Sequence, residues 1–172
     1  MSQYFEENPD ISNQKKVITI TFKDKYYNLL TNNNMFSKDK LDYGTKVLLE
    51  NFTEQEIEGK VLDLGCGYGI IGIVLATTYS SIKVDMCDIT SRAIEITKEN
   101  IKRLNITNID IFKSNVYDNI EDKYNYIITN PPIRAGKDTI RKFLFGAKEH
   151  LEDNGELWFV MRKDHGVKSM IK

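Results

Sequence analysis

Residues 124–133 read Tyr-Asn-Tyr-Ile-Ile-Thr-Asn-Pro-Pro-Ile, an apolar run that ends on an amide and two prolines. The prolines fix the backbone, and the first also restricts Asn130. Neither Pro131 nor Pro132 carries an N–H, so the backbone here offers mainly acceptors. Such an edge suits a group that donates hydrogens, in particular an exocyclic amine whose lone pair is delocalised into a ring. The Asn130 side-chain oxygen and the Pro131 carbonyl can hold its two hydrogens, steer the nitrogen toward tetrahedral geometry and aim its lone pair at an electrophilic methyl group. That chemistry rests on positioning and electrostatics. It needs no strong base, and no His, Cys or Ser nucleophile stands out in the chain. Taken alone, Asn-Pro-Pro is equally a rigid turn between a strand and a loop.

A second group lies upstream. Val61-Leu-Asp-Leu-Gly65-Cys-Gly67-Tyr-Gly69-Ile-Ile-Gly72 follows an apolar strand and opens a helix. Glycines allow a tight turn and a close approach of backbone to a ligand, and the helix N-terminus adds N–H groups. Gly67, Gly69 and Gly72 fit the G-x-G-x-x-G spacing, which serves NAD, flavin and S-adenosylmethionine alike. Asp88 ends the next strand, 19 residues after Gly69. A carboxylate there accepts both hydrogen bonds of a ribose diol. Its alternative is a solvated loop acid or a cap for the following helix. Asp63 sits inside the first strand, and a buried carboxylate needs a partner. The ammonium of a methionine moiety would serve, whereas a dinucleotide pyrophosphate would be repelled. The alternative is a hydrogen bond to a neighbouring loop.

These groups need a scaffold, and the hydropathy pattern supplies one. Val17–Phe22 alternates, with Ile18, Ile20 and Phe22 on one face, and residues 26–31 return as a second strand. A helix is predicted over 42–52. From Lys60 onward strands and helices alternate: strands at 61–64, 83–87, 109–113, 124–129 and 156–161, helices at 70–79, 91–104 and 138–151. Alternation of this kind predicts an α/β fold with a mostly parallel sheet covered by helices on both faces. Residues 60–172 form the α/β core, and residues 1–59 read as an N-terminal β-hairpin and helix packed on the same single domain.

The chain has 172 residues, of which 41% are hydrophobic and 28% charged, and this predicts one globular domain. No apolar run reaches membrane-helix length, and residues 1–10 lack the pattern of a signal peptide. Cys66 and Cys87 have no metal-ligand spacing and read as reduced, buried thiols of a cytoplasmic protein. His150 and His165 read as exposed, and no metal site is expected. Trp158 reads as core or sheet surface. Net charge is −1 but uneven: residues 1–130 carry 15 basic and 19 acidic side chains, residues 131–172 carry 9 and 6. A local basic zone near the end of the chain is one reading, and an ordinary solvated surface is the other.

With these residues in view, the chain resembles the small-domain (MTS) class I methyltransferases, in particular the bacterial enzymes that methylate guanine N2 of 16S ribosomal RNA. The resemblance is carried by Asn34-Met-Phe36-Ser37-Lys-Asp-Lys-Leu-Asp42-Tyr-Gly44-Thr45, by Asp63-Leu-Gly65-Cys-Gly67-Tyr-Gly69, and by Thr129-Asn130-Pro131-Pro132-Ile133-Arg134-Ala-Gly136-Lys137. It implies a Rossmann-like class I sheet, S-adenosyl-L-methionine as cofactor, and ribosomal RNA or the small ribosomal subunit as partner, with the protein a monomer in the cytoplasm. It implies a catalytic role for Asn130, Pro131 and Pro132. Asp63, Gly65, Gly67, Gly69, Asp88, Ile89, Asn115, Val116 and Thr45 would bind the cofactor. Asn115 stands where the family usually has an Asp that contacts the adenine amino group, and the backbone of Val116 would meet the adenine ring.

On the substrate side, the segment Phe36–Thr45 would close over the methionine end of the cofactor and the target base, with Phe36 either against the base or, equally, buried in the core. Arg134 and Lys137 would meet RNA phosphates. Ile133 replaces the aromatic that follows Asn-Pro-Pro in many adenine-N6 and protein-glutamine methyltransferases, which favours guanine over those alternatives. Family members continue past the fifth core strand into a further helix and an antiparallel strand pair. Here Gly166–Lys172 resembles the start of that helix and the sequence then stops, which reads either as a natural truncation without the strand pair or as a fragment. A non-catalytic RNA-binding homologue is therefore the third reading.

Overall fold

The computed structural model describes residues 15–32 and 41–161. Phe36, His165 and the segment from Gly166 lie outside the described residues. Two strands, β1 (Lys15–Phe22) and β2 (Lys25–Asn32), form an antiparallel hairpin in one-to-one register from Phe22↔Lys25 to Lys15↔Asn32. Its two-residue turn has Lys23 at φ 47° and Asp24 at φ 65°, the left-handed pair that matches the twist of hairpin strands. Ile18, Ile20 and Phe22 are buried together, as their alternation requires.

Helix α1 (Tyr43–Phe52) follows, capped by Asp42, whose side chain accepts from the Thr45 N–H. The core then runs β3 (Lys60–Leu64), α2 (Ile70–Thr78), β4 (Lys83–Asp88), α3 (Ser91–Arg103), β5 (Ile109–Lys113), β6 (Tyr124–Thr129), α4 (Lys137–Phe145) and β7 (Leu151–Phe159). The sheet order is β5-β4-β3-β6-β7, and every pairing in it is parallel. The chain leaves β3 in one direction and returns at β6 on the other side. β3 and β6 are thus adjacent strands whose connections diverge, which opens a crevice at their C-terminal ends.

The period of two sorts the strand side chains into two cores. Val61, Val84, Met86 and Ile128 pack with Leu48, Leu49 and Phe52 of α1, with Ile73 and Val74 of α2 and with Ile96 of α3. Leu62, Leu64, Cys87 and Ile127 pack with Phe143 of α4 on the other face, joined by Tyr124, which the register shift between Tyr124 and Tyr126 takes out of the alternation. Phe52 meets the edges of Tyr126 and Trp158, at centroid distances of 5.3 and 5.1 Å, so Trp158 belongs to the first core's margin. Among the described residues no helix is long and apolar enough to cross a membrane.

The fold departs from expectation at the end. Helix α4 stops at Phe145, and a 3-10 turn over Gly146–His150 takes its place. Strand β7 pairs with Tyr124 already at Leu151 and then slips, so that Tyr126 faces Glu156. Asn154 takes a left-handed φ of 64° inside that irregularity, next to Gly155. The apolar positions 140, 143, 144 and 147 keep a helical spacing through the tighter 3-10 turn, which hides the change in the sequence. His150 is also half-buried instead of exposed, stacked flat on Tyr117 at 4.8 Å.

Candidate active site

A cleft opens at the C-terminal edge of the sheet. It is lined from the glycine loop (Gly65, Cys66, Gly67, Tyr68), from the end of β4 (Cys87, Asp88, Ile89), from the loop after β5 (Ser114, Asn115, Val116), from Asn130, Pro131 and Pro132 after β6, and from Asp42 and Thr45 at the start of α1. Phe143 closes it from α4.

The glycine loop is held in place by backbone. Gly65 and Cys66 both donate to the Cys87 carbonyl at 2.9 Å, and Gly69 donates to the Cys66 carbonyl at 2.9 Å. Gly67 sits at φ 57°, and a side chain there would meet nothing within 4 Å. Its lack of a side chain leaves room on the cleft side and not toward a packed neighbour. From behind, Thr97 Oγ1 donates to the Gly67 carbonyl at 2.6 Å and Asn100 Nδ2 to the Tyr68 carbonyl at 2.9 Å. α3 thus fixes the loop's outward shape.

Asp88 ends β4 half-buried beneath that loop. Its Oδ2 accepts from Gly67 N at 2.9 Å, and its Oδ1 from Thr90 N at 3.0 Å and Thr90 Oγ1 at 3.3 Å. Burial pushes its carboxyl upward, opposed by these same donors. The helix cap itself is Thr90, whose hydroxyl accepts from Ala93 N.

Asn130 is the site's most constrained side chain. Its Nδ2 donates to Asp42 Oδ2 at 2.9 Å and to Thr45 Oγ1 at 3.0 Å. Thr45 Oγ1 in turn donates to Asp42 Oδ2 at 3.2 Å. A carboxylate only accepts, so the amide nitrogen must face Asp42. The Asn130 oxygen is left on the opposite side of the amide. Beneath it, Thr129 Oγ1 donates to the Leu64 carbonyl at 2.8 Å, tying β6 to the root of the glycine loop.

A glycine loop, a carboxylate at the end of the next strand and an oriented Asn-Pro-Pro at one sheet edge agree with a comparison of sequences. The profile of the methyltransferase small domain family, MTS, matches residues 26–172. The chain belongs to that family. It is 36% identical over 171 residues to the Bacillus subtilis (strain 168) protein YbxB, covering 98% of this chain and 85% of that one. It is 37% identical over 131 residues to ribosomal RNA small subunit methyltransferase C of Actinobacillus pleuropneumoniae serotype 3, covering 73% of this chain and 40% of that one. The chain thus spans about two fifths of that relative's length. In fold it is similar to the ribosomal protein L11 methylase of Lactobacillus delbrueckii subsp. bulgaricus, with TM-score 0.61, 20% identity and 70% and 63% coverage. It is also similar to PKMT2 of Rickettsia typhi in complex with AdoHcy, with TM-score 0.52, 28% identity and 57% and 19% coverage.

In this methyltransferase the expected site residues fall into three groups. Thr45, Gly65, Gly67, Asp88, Ile89, Asn115, Val116, Asn130, Pro131 and Pro132 are brought together on the cleft wall. Asp63 and Gly69 lie behind it. Asp63 is fully buried, its Oδ2 accepts from Gly72 N at 2.9 Å, and its Oδ1 has no partner. Burial pushes its carboxyl up to about 7, the Gly72 N–H opposes this, and the charge of Asp88 adds to it. Gly69 caps α2 at φ 102°. Ile133, Arg134 and Lys137 lie beyond the cleft, where Ile133 packs on Ile140 and Leu144 while Arg134 and Lys137 are exposed.

The MTS cleft also uses residues that sequence reasoning did not single out. Asp42 was read as a helix start and as part of the Phe36–Thr45 segment, but with no role of its own, because nothing local links it to Asn130. Ser114 bridges the Val116 carbonyl at 2.8 Å and the Asn119 N–H at 3.0 Å. It thereby holds Val116 at φ 52°, a conformation a β-branched residue avoids. Tyr68 is buried, which together with the nearby Asp42 pushes its hydroxyl up to about 12. Cys66 and Cys87 are free and buried, and burial pushes both thiols up, which disfavours the thiolate form. Among the described residues no three His, Cys, Asp or Glu side chains are grouped to hold a metal ion.

Proposed function

We propose that this methyltransferase uses S-adenosyl-L-methionine to methylate guanine N2 of 16S ribosomal RNA in the cytoplasm. The observation that carries the reading is the orientation of Asn130: its nitrogen is held by Asp42 and Thr45, which leaves its oxygen to act as an acceptor in a cleft that Pro131 also lines.

The residues fit the cofactor. Asp88 ends β4 with carboxylate oxygens at the cleft wall for a ribose diol. Asn115 and Val116 line the wall for the adenine, and Gly67 leaves open space for backbone contact. Asp63 lies behind the loop, paired through one oxygen with Gly72 N, and acts on this end of the cleft only by fixing the start of α2. When bound, the cofactor supplies an electrophilic methyl group on a sulfonium. The chain's own task is to present the acceptor nitrogen. The Asn130 oxygen and the Pro131 carbonyl accept the two amine hydrogens, and the prolines hold both acceptors rigid. Methylation makes the amine nitrogen cationic and strongly acidic, and its proton passes directly to water, while the two acceptors only orient it. Relatives named ribosomal RNA small subunit methyltransferase C support RNA as the substrate. The absence of an aromatic at Ile133 supports guanine over adenine.

The test is transfer of labelled methyl groups from S-adenosylmethionine to naked 16S RNA and to small subunits, followed by nucleoside analysis. Label in N2-methylguanosine is expected. Label in N6-methyladenosine or in protein glutamine would replace this reading with the other amine-acceptor chemistry. No transfer by a sample that binds S-adenosylhomocysteine would leave a non-catalytic binding protein.

A further inference from the structure

The basic side chains near the end of the described chain are not scattered. Lys137, Arg141, Phe145 and Lys148 are all exposed. At about 100° per residue they share an arc of about 80° on α4 and the turn that follows it. Phe145 lies within this basic stripe at 60% exposure. The stripe begins five residues after Pro132 and runs away from the Asn130 edge. Beside it is a groove walled by Tyr117 and Asp118 on one side and by Arg141, Lys142 and Phe145 on the other. Asn115 and Val116 line this groove as well as the cleft, so the two adjoin at that loop.

A single exposed Phe carries little meaning by itself. The combination differs: residues 131–150 hold five basic and two acidic side chains, whereas residues 1–130 hold an excess of acids. The two acids in that segment are Asp138, which lies 4.0 Å from Arg141, and Glu149, and Asp118 faces the groove. Cations spaced along a track, with a ring open for stacking among them, form the pattern that binds single-stranded nucleic acid without reading its sequence. Resting on the proposed function, we propose that the α4 stripe is the docking track for the single-stranded RNA that flanks the target nucleotide. Phe145 stacks on an unpaired base, and Arg141 and Lys148 contact successive phosphates. The stripe leads the strand up to the Asn130 edge, where the target base is turned out of its stack.

The experiment is anisotropy titration of a labelled single-stranded RNA of about 12 nucleotides with the full chain, at salt between about 50 and 200 mM. The variants are Phe145→Ala and Arg141→Gln/Lys148→Gln, all at exposed positions outside the cleft. Phe145→Ala should weaken binding about tenfold at every salt concentration. The double charge variant should lower the slope of log affinity against log salt by about 1.4, or about 0.7 per phosphate contact. S-adenosylhomocysteine affinity should be unchanged in both, which reports that they fold. Variants that match the parent in affinity and slope overturn the track. If the parent still labels guanine N2 in that case, only the track falls. Loss of RNA binding in the variants, with no RNA ever methylated by the parent, upholds the track and removes the proposed function.

Discussion

Asp42 Oδ2 accepts the Asn130 amide at 2.9 Å, joining residues 88 apart in sequence. The same oxygen accepts from Thr45 N and Thr45 Oγ1. One carboxylate therefore both caps α1 and decides which face of the Asn130 amide looks into the cleft. Asp42→Ala should lower kcat about 10- to 100-fold, because the amide can then turn its donor toward the substrate amine. It should also cost about 1 kcal/mol of stability through the lost cap. Asp42→Asn keeps an acceptor and should recover part of kcat. Affinity for S-adenosylhomocysteine, measured by calorimetry, should change much less than kcat. Equal kcat in Asp42→Ala and the parent would remove Asp42 from any positioning role.

Asp88 links two parts of the cleft, the glycine loop through Gly67 N and the segment after β4 through Thr90. Asp88→Ala removes a charged acceptor for a ribose diol and releases the Gly67 N–H. Hydrogen bonds to a charged group are worth about 1.5–3 kcal/mol each, so S-adenosylhomocysteine should bind at least about 100-fold more weakly. NAD should bind neither form. A retained affinity in calorimetry would mean that the diol is held by backbone alone.

Much of this scaffold was legible because alternation leaves a trace that survives burial. Leu62 and Leu64 face one core, Val61 and Asp63 the other, and the same parity orders Ile127 against Ile128. The order of glycine loop, Asp88 and Asn130 was legible too, since each stands at a strand end. What the sequence could not show was pairing across distance. Nothing local joins Asp42 to Asn130, and Asp42 already has a sufficient explanation as a cap. Asp63 was legible as a buried acid, but not the choice of Gly72 N–H as its partner. The end of α4 was hidden for another reason: a 3-10 turn keeps nearly the apolar spacing of an α-helix.

Asp63 gives a pH dependence with a definite sign. Its carboxyl has an ordinary value of 3.8 and is pushed up to about 7 in the fold by burial. Between those values the native state holds a proton that the unfolded chain has released. The group's favourable contribution is complete below 3.8, falls as pH rises, and is lost as pH passes about 7. Unfolding free energies measured from pH 4 to 8 should decline more steeply in the parent than in Asp63→Asn. The gap between the two curves should be on the order of a few kcal/mol. Parallel curves would show that Asp63 is ionised throughout, with its unpaired Oδ1 solvated in a way the geometry does not provide.

Asn100 makes a further prediction, because it joins the hairpin to the glycine loop. It is fully buried, accepts from Leu30 N at 2.7 Å, and donates to the Leu30 carbonyl at 3.0 Å and the Tyr68 carbonyl at 2.9 Å. Its amide thus pairs with the outer edge of β2 as a peptide group would, while its remaining hydrogen holds the glycine loop. Asn100→Ala leaves three backbone groups without their partner, at about 1–3 kcal/mol for each that water cannot reach. Stability should fall by about 3 kcal/mol in denaturant unfolding, with hydrogen exchange at Leu30 rising ahead of the core. Cofactor affinity should fall as well, since Tyr68 loses its tether. If the hairpin amides stay protected and affinity holds, the packing of Ile18, Ile20 and Phe22 alone fastens the hairpin, and the loop keeps its shape through Gly65, Cys66 and Thr97.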